Sequence, residues 1–191
     1  MPYRESINEL PFPTLADAEP STQRSEIERE VMEFYERFRD PLLRYALSLG
    51  ISVHDAEDVI QEVFLSLFRH LRLSRSRSNL RGWLFRVTHN LVLKQVYGTQ
   101  RLRSKTRSDG TIAKEQQDPS PDPEEELSLA QRRHRLLAVV HALPQADQCC
   151  LALRAEGLRY RDIAAVLGVS LGAVSISLTR SLARLIRADR R

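Results

Sequence analysis

Apolar residues recur three and four apart, rather than alternating, in two blocks of the chain, residues 25–98 and 131–188. In the first block Ile27, Val31, Phe34, Tyr35 and Phe38 form one stripe. Asp40-Pro41 offers an N-cap and a first-turn proline, so a second helix is expected to begin there and to stop at Gly50. Ser52, with Asp55 three residues on, can cap a third helix whose buried face is Val59, Ile60, Val63, Phe64, Leu67 and Leu71. After the polar run from Leu73 to Ser78, Asn79 can cap a fourth helix ending near Gly98, with Trp83, Leu84, Val87, Leu91 and Val92 turned inward. In the second block Leu136, Leu137 and Val140 belong to a helix that stops before Pro144, and a second helix brings Cys149, Cys150 and Leu153 to Gly157. A short helix from Tyr160 to Leu167, the connection Gly168-Val169-Ser170, and a last helix with Leu171, Val174, Leu178, Leu182 and Leu185 on one face complete it. Both blocks read as small bundles of an all-α protein.

Proline marks the joints between them. Seven of the nine prolines lie in two stretches, Pro2 to Pro20 and Pro119 to Pro123. Residues 1–24 lack a sustained apolar period and read as a flexible arm. Residues 99–130 begin basic, turn acidic and hold few apolar groups, which is the composition of a linker. The domains expected are therefore 25–98 and 131–191, the latter running to the last residue.

Two cysteines, Cys149 and Cys150, are adjacent and point in different directions on any regular element, so neither a disulfide framework nor a metal cluster is expected. They suit a core in a reducing cytoplasm. The start of the chain lacks the order of an export signal, and no apolar run reaches the roughly 20 residues that cross a bilayer. His54, Asp55 and Asp58 could meet on one helical face, but nothing close in sequence completes a metal shell. No nucleophile elbow, phosphate-cradling glycine loop or zinc spacing is present, so neither a cofactor nor a catalytic centre is expected.

The net charge is only +4, but it is segregated: residues 81–108 hold seven Lys/Arg and no Asp/Glu. The fourth helix combines this charge with Trp83, Phe85, His89, Asn90, Gln95 and Tyr97, a mixture suited to single-stranded nucleic acid. Trp83 also fits the inward face. The third helix presents Asp55, Glu57, Asp58, Gln61 and Glu62, which by themselves can be an ordinary solvated face. The sharpest local pattern is Arg159 to Val174. Ala164 permits close helix approach, Gly168 supplies a left-handed turn, and Ile163, Leu167, Val169 and Val174 form a miniature core. This is the pattern of a helix-turn-helix, whose second helix would present Ser170, Leu171, Ala173, Ser175 and Ser177 to bases or phosphates and Arg180 and Arg184 to the backbone. An αα-corner that only packs is the bland alternative.

Asp55 to Phe68 resembles region 2.2 of bacterial extracytoplasmic-function (ECF) RNA polymerase sigma factors. Asn79 to Leu91 resembles their regions 2.3 and 2.4, and Leu143-Pro144 followed by Gly157 to Ala164 resembles region 4. The matches occur in order, with a linker between them. The resemblance implies a promoter-specificity subunit with two helical domains. Asp55, Glu57, Asp58, Gln61 and Glu62 would dock on the β′ clamp of core RNA polymerase, and the second domain would sit on the β flap. Asn79, Arg81, Arg86, His89, Asn90 and Lys94 would capture the melted −10 strand, and the last helix would read the −35 element. Members of the family are commonly held inactive by an anti-sigma factor. After Val174 many of them place Lys-Ser-Arg-Leu where this chain has Ser175-Ile176-Ser177-Leu178, so phosphate attraction on the reading helix is expected to be weaker.

A free coil of the linker's length reaches roughly 30 Å. Promoter elements two duplex turns apart are about 70 Å apart. Polymerase would therefore have to hold the two domains apart. The competing reading is a stand-alone helix-turn-helix regulator, which would be a dimer on a palindromic site.

Overall fold

The expected break at Pro41 does not occur, because one helix, α1 (Ser21–Ser48), runs straight through it. A proline inside a helix forfeits one backbone hydrogen bond and crowds the preceding turn, a cost of about 3 kcal/mol. Here Phe38, Leu42, Tyr45 and Ala46 are buried in continuous register across Pro41, and that packing keeps the helix whole. Of the stripe expected further up, Ile27 is buried and Val31 and Phe34 pack at the core edge, while Tyr35 stays exposed with its ring edge-on to Phe64 at 4.9 Å.

The computed structural model describes residues 21–103 and 123–190. Among these residues there are seven helices and no strand. α2 (Val53–Arg72) begins at Ser52, whose hydroxyl accepts the Asp55 amide at 3.1 Å and donates to the Asp55 carboxylate at 2.7 Å. α3 (Leu80–Arg103) runs five residues past Gly98, and α4 (Pro123–His141) starts well before Leu136, so helix extends into the 99–130 segment from both sides. Of the arm expected over residues 1–24, the last four begin α1; residues 1–20, 104–122 and 191 lie outside the described residues.

α5 (Gln145–Ala155), α6 (Tyr160–Leu167) and α7 (Leu171–Asp189) complete the second bundle, with α4 packed along α7. Arg132 of α4 ties the two ends together by pairing with Asp189. Gly168 caps α6 in the left-handed conformation (φ 68°), where a side chain would be strained, and α7 departs at 107° to α6. That angle falls in the helix-turn-helix range. Ile163, Val166, Val174 and Leu178 are buried at the corner, whereas Leu171 and Leu182, expected on the inner face, are exposed. The two cysteines are buried and free.

The bundles do not stand apart. α3 packs on α6 and α1 on α5, and one continuous cluster of buried side chains runs from Leu42 and Leu84 to Cys150, Leu153, Leu158 and Ile163.

Candidate nucleic-acid interface

The acidic face of α2 is a ridge of unequal members. Glu57, Asp58 and Gln61 are exposed, with Glu57 3.8 Å from Arg39 and Asp58 3.9 Å from His54. Glu62 is partly covered and pairs with Arg69 at 3.3 Å. Asp55 differs in kind. Besides closing the Ser52 cap, it accepts a 2.7 Å hydrogen bond from Gln95 of α3, so its charge is engaged in holding α2 to α3.

The basic face of α3 separates into two groups. Arg86, Asn90 and Lys94 follow each other at four-residue spacing and all are exposed, which makes one polar stripe along the helix. Asn79 and Arg81 instead turn toward the second bundle. Asn79 (φ 52°) caps α3 by accepting the Gly82 amide at 3.1 Å and donates to Asp162 of α6 at 2.7 Å. A Cβ at Gly82 would lie 2.6 Å from the Asn79 amide nitrogen, so a larger residue there would displace the Asn79 side chain from this position. Arg81 donates to the Glu156 carbonyl.

Two ring-bearing residues expected on the nucleic-acid face, Phe85 and His89, are drawn inward, and Trp83 lies on the inward side that its spacing predicts. Phe85 is fully buried, edge-on to Tyr45 at 5.7 Å. His89 is 8% exposed and shares a 2.8 Å hydrogen bond with the Tyr45 hydroxyl. Its ring is not offered to solvent, and burial lowers its pKa so that the neutral form is favoured. Trp83 packs half-buried on the core with the His70 ring 4.7 Å away. His70 also pins the 73–79 loop through the Ser76 carbonyl at 2.9 Å.

On the second bundle Ser170 caps α7 by accepting the Ala173 amide at 3.1 Å. Leu171, Ala173, Ser175 and Arg184 are exposed along α7. Ser177 is buried, and its hydroxyl donates to Asp147 at 2.7 Å; Arg180 grips the same carboxylate at 2.6 Å. Sequence reasoning missed Asp147, Glu156, Asp162 and Arg44, the carboxylates and guanidinium that tie helices or bundles together. Nothing in local spacing marks them, since their partners lie 30 to 112 residues away.

The Sigma-70 region 2 family model matches residues 34–107, and the Sigma-70 region 4 model matches residues 133–185. The ECF RNA polymerase sigma factor EcfG of Rhodopseudomonas palustris is 30% identical over 147 residues, covering 76% of this chain and 77% of that protein. The chain belongs to the ECF sigma-70 family. The ECF RNA polymerase sigma factor SigE of Mycolicibacterium smegmatis is 32% identical over 154 residues, which is 80% of this chain. The chain spans only 59% of that relative's length. Among solved structures, the sigma factor RpoE bound to the anti-sigma factor NepR, from Bartonella quintana, is similar with a TM-score of 0.61 and 23% identity, over 82% of this chain and 96% of that one. The likeness shows the fold, a region 2 bundle followed by a region 4 helix-turn-helix. In region 2 of this family member, then, α2 supplies the acidic ridge and α3 the basic stripe.

Proposed function

We propose that this chain is a promoter-specificity subunit that binds core RNA polymerase and directs transcription initiation. The observation that carries the reading is the ordered pair of family matches laid over two oppositely charged surfaces of region 2. Glu57, Asp58, Gln61 and Glu62 offer an acidic ridge for the β′ clamp, with Asp55 holding that ridge onto α3. Arg86, Asn90 and Lys94 offer a stripe that can follow the phosphates of a melted −10 strand. Asn79 and Arg81 join the stripe once region 4 moves off α3. Region 4 would sit on the β flap with α7 on the −35 duplex. Its work is non-catalytic: binding energy is spent on holding the unpaired strand, which opens DNA without hydrolysis.

The domain limits that go with this reading are those expected from the sequence, 25–98 and 131–191, widened to the ends of the helices that carry them, Ser21 to Arg103 and from Pro123 onward, with the residues between as a tether. Its place of action is the cytoplasm, with the nucleoid when in holoenzyme. Among the described residues no single helix is long and apolar enough to cross a membrane. An anti-sigma factor is a fitting partner, since the similar Bartonella RpoE forms a complex with the anti-sigma factor NepR.

Run-off transcription by core RNA polymerase on a randomised promoter library tests this directly. The expected result is initiation, dependent on this chain, at templates that share two sequence elements. Absence of a stable complex with core enzyme overturns it. A stand-alone regulator would instead give dimers on a palindrome without polymerase.

A further inference from the structure

Asp147, at the third position of α5, is 2% exposed, and its two oxygens accept four hydrogen bonds. Ser177 Oγ donates to Oδ1 at 2.7 Å, Arg180 Nη2 reaches Oδ1 at 2.9 Å and Oδ2 at 2.6 Å, and Arg180 Nε reaches Oδ2 at 3.1 Å. That fills the acceptor capacity of a carboxylate. A buried carboxylate is tolerated only with a counter-charge, and Arg180 is that charge. Arg180 is also the first cation of α7, since Leu171 to Thr179 contain none. The forward half of the helix therefore shows solvent only uncharged groups, among them Leu171, Ala173, Ser175 and Ile176, which is 67% exposed.

We propose that Asp147 is a positioning residue for duplex recognition: it ties Ser177 and the half-exposed Arg180 to α5, neutralises the Arg180 charge against phosphate attraction, and leaves the major groove to be read by uncharged side chains. This rests on the reading of α7 as the −35 helix. Apolar side chains of this kind distinguish bases by packing on the thymine methyl group, and serine hydroxyls serve either base-pair orientation. The ligand class is a duplex rich in thymine methyls, bound with a shallow salt dependence.

Holoenzyme reconstituted from the full chain and core RNA polymerase selects a promoter from a randomised library, and its affinity for that promoter duplex is then followed from roughly 50 to 200 mM KCl. Wild type and Arg180→Ala are expected to share one slope of log affinity against log salt. Asp147→Asn, which releases the guanidinium, steepens that slope by about 0.9, the value of one phosphate contact. Replacing thymine by uracil in the −35 segment weakens wild type several-fold. A merely structural Asp147 would lower the folded fraction and leave the slope unmoved. An unchanged slope for Asp147→Asn, or a slope shallower by about one contact for Arg180→Ala, overturns the proposal. If either single variant does not fold, the double variant Asp147→Asn/Arg180→Ala, which leaves no buried charge unpaired, and the uracil duplex decide: a slope shallower than wild type by about one contact, or undiminished binding to the uracil duplex, overturns the proposal. A wild-type chain that never assembles with core enzyme overturns the functional reading itself, and this shows before any variant is compared.

Discussion

Arg44 of α1 and Glu156 at the end of α5 stand 112 residues apart in the chain and form a two-pronged ion pair, at 2.9 Å (Nε to Oε1) and 2.8 Å (Nη2 to Oε2). The pair joins region 2 to region 4. Beside it the Glu156 carbonyl receives Arg81, and Asp162 receives Asn79. Region 4 thus occupies two of the residues proposed for the −10 strand, so this arrangement and strand capture exclude one another.

Charge reversal at this contact is expected to open the chain. Glu156→Arg sets two guanidinium groups face to face and should enlarge the radius of gyration in small-angle scattering, with tighter binding of an oligo-dT strand. Adding Arg44→Glu should restore both. Because Arg44 is largely exposed, the coupling from the double-mutant cycle should be only about 0.5–1 kcal/mol.

Acid should weaken the fold through His89. Burial lowers its folded-state pKa below the ordinary value near 6.5, so its contribution is complete above about pH 6.5 and is lost as pH falls through the lower folded value. Urea midpoints at neutral and mildly acidic pH should differ less in His89→Gln than in wild type. An equal pH response in the two proteins would contradict the role given to His89.

The two thiols should be inert until the chain unfolds. Burial pushes the Cys149 thiol up to about 11 and raises Cys150 as well, so little thiolate exists at neutral pH. Ellman's reagent at neutral pH should find no fast-reacting thiol in the native chain and two in urea.

Members of the acidic ridge should separate by what they break. Asp55→Ala removes the carboxylate that accepts the Ser52 hydroxyl and the Gln95 amide, leaves the Asp55 amide on Ser52, and should lower stability by about 1 kcal/mol in a denaturant titration. Asp58→Lys, at an exposed position, should stay within about 0.5 kcal/mol of wild type yet weaken co-elution with core RNA polymerase.

Leu84→Ala should reveal how far the two regions share a core. Leu84 is fully buried in the cluster that continues into region 4, and its truncation should cost about 2–5 kcal/mol. Trp83 fluorescence, from region 2, and thiol accessibility of Cys149 and Cys150, in region 4, should report one urea transition in wild type and lose stability together in the variant. Separate transitions would argue against one shared core.

Where a helix starts was often written in adjacent residues. Ser52 and Asn79 act as the caps the sequence implies, through contacts three residues on to Asp55 and Gly82, while Ser170, expected to face DNA, caps α7 through the Ala173 amide in the same way. Pro41 shows the limit of such local rules. Its intrinsic cost as a helix breaker is fixed by one residue, but whether the helix survives depends on how well Leu42, Tyr45 and Ala46 are packed by other elements. Phe85 and His89 illustrate the same limit on a face. Their residue types suit bases as well as they suit a core, and only α1, by placing Tyr45 beside both, drew them inside.

By itself, the sequence determined the helical class, the two regions and their order, the turn at Gly168 and the segregation of acidic from basic surface, because each depends on spacing within a few turns. Tertiary structure alone decided which charges remain available: Asp55 is given to Gln95, Arg180 and Ser177 to Asp147, and Arg44 to Glu156. A charged or polar side chain is engaged by whatever partner the fold brings within about 3 Å, an opposite charge in two of these cases and a neutral amide or hydroxyl in the others, and that neighbour need not be near in sequence.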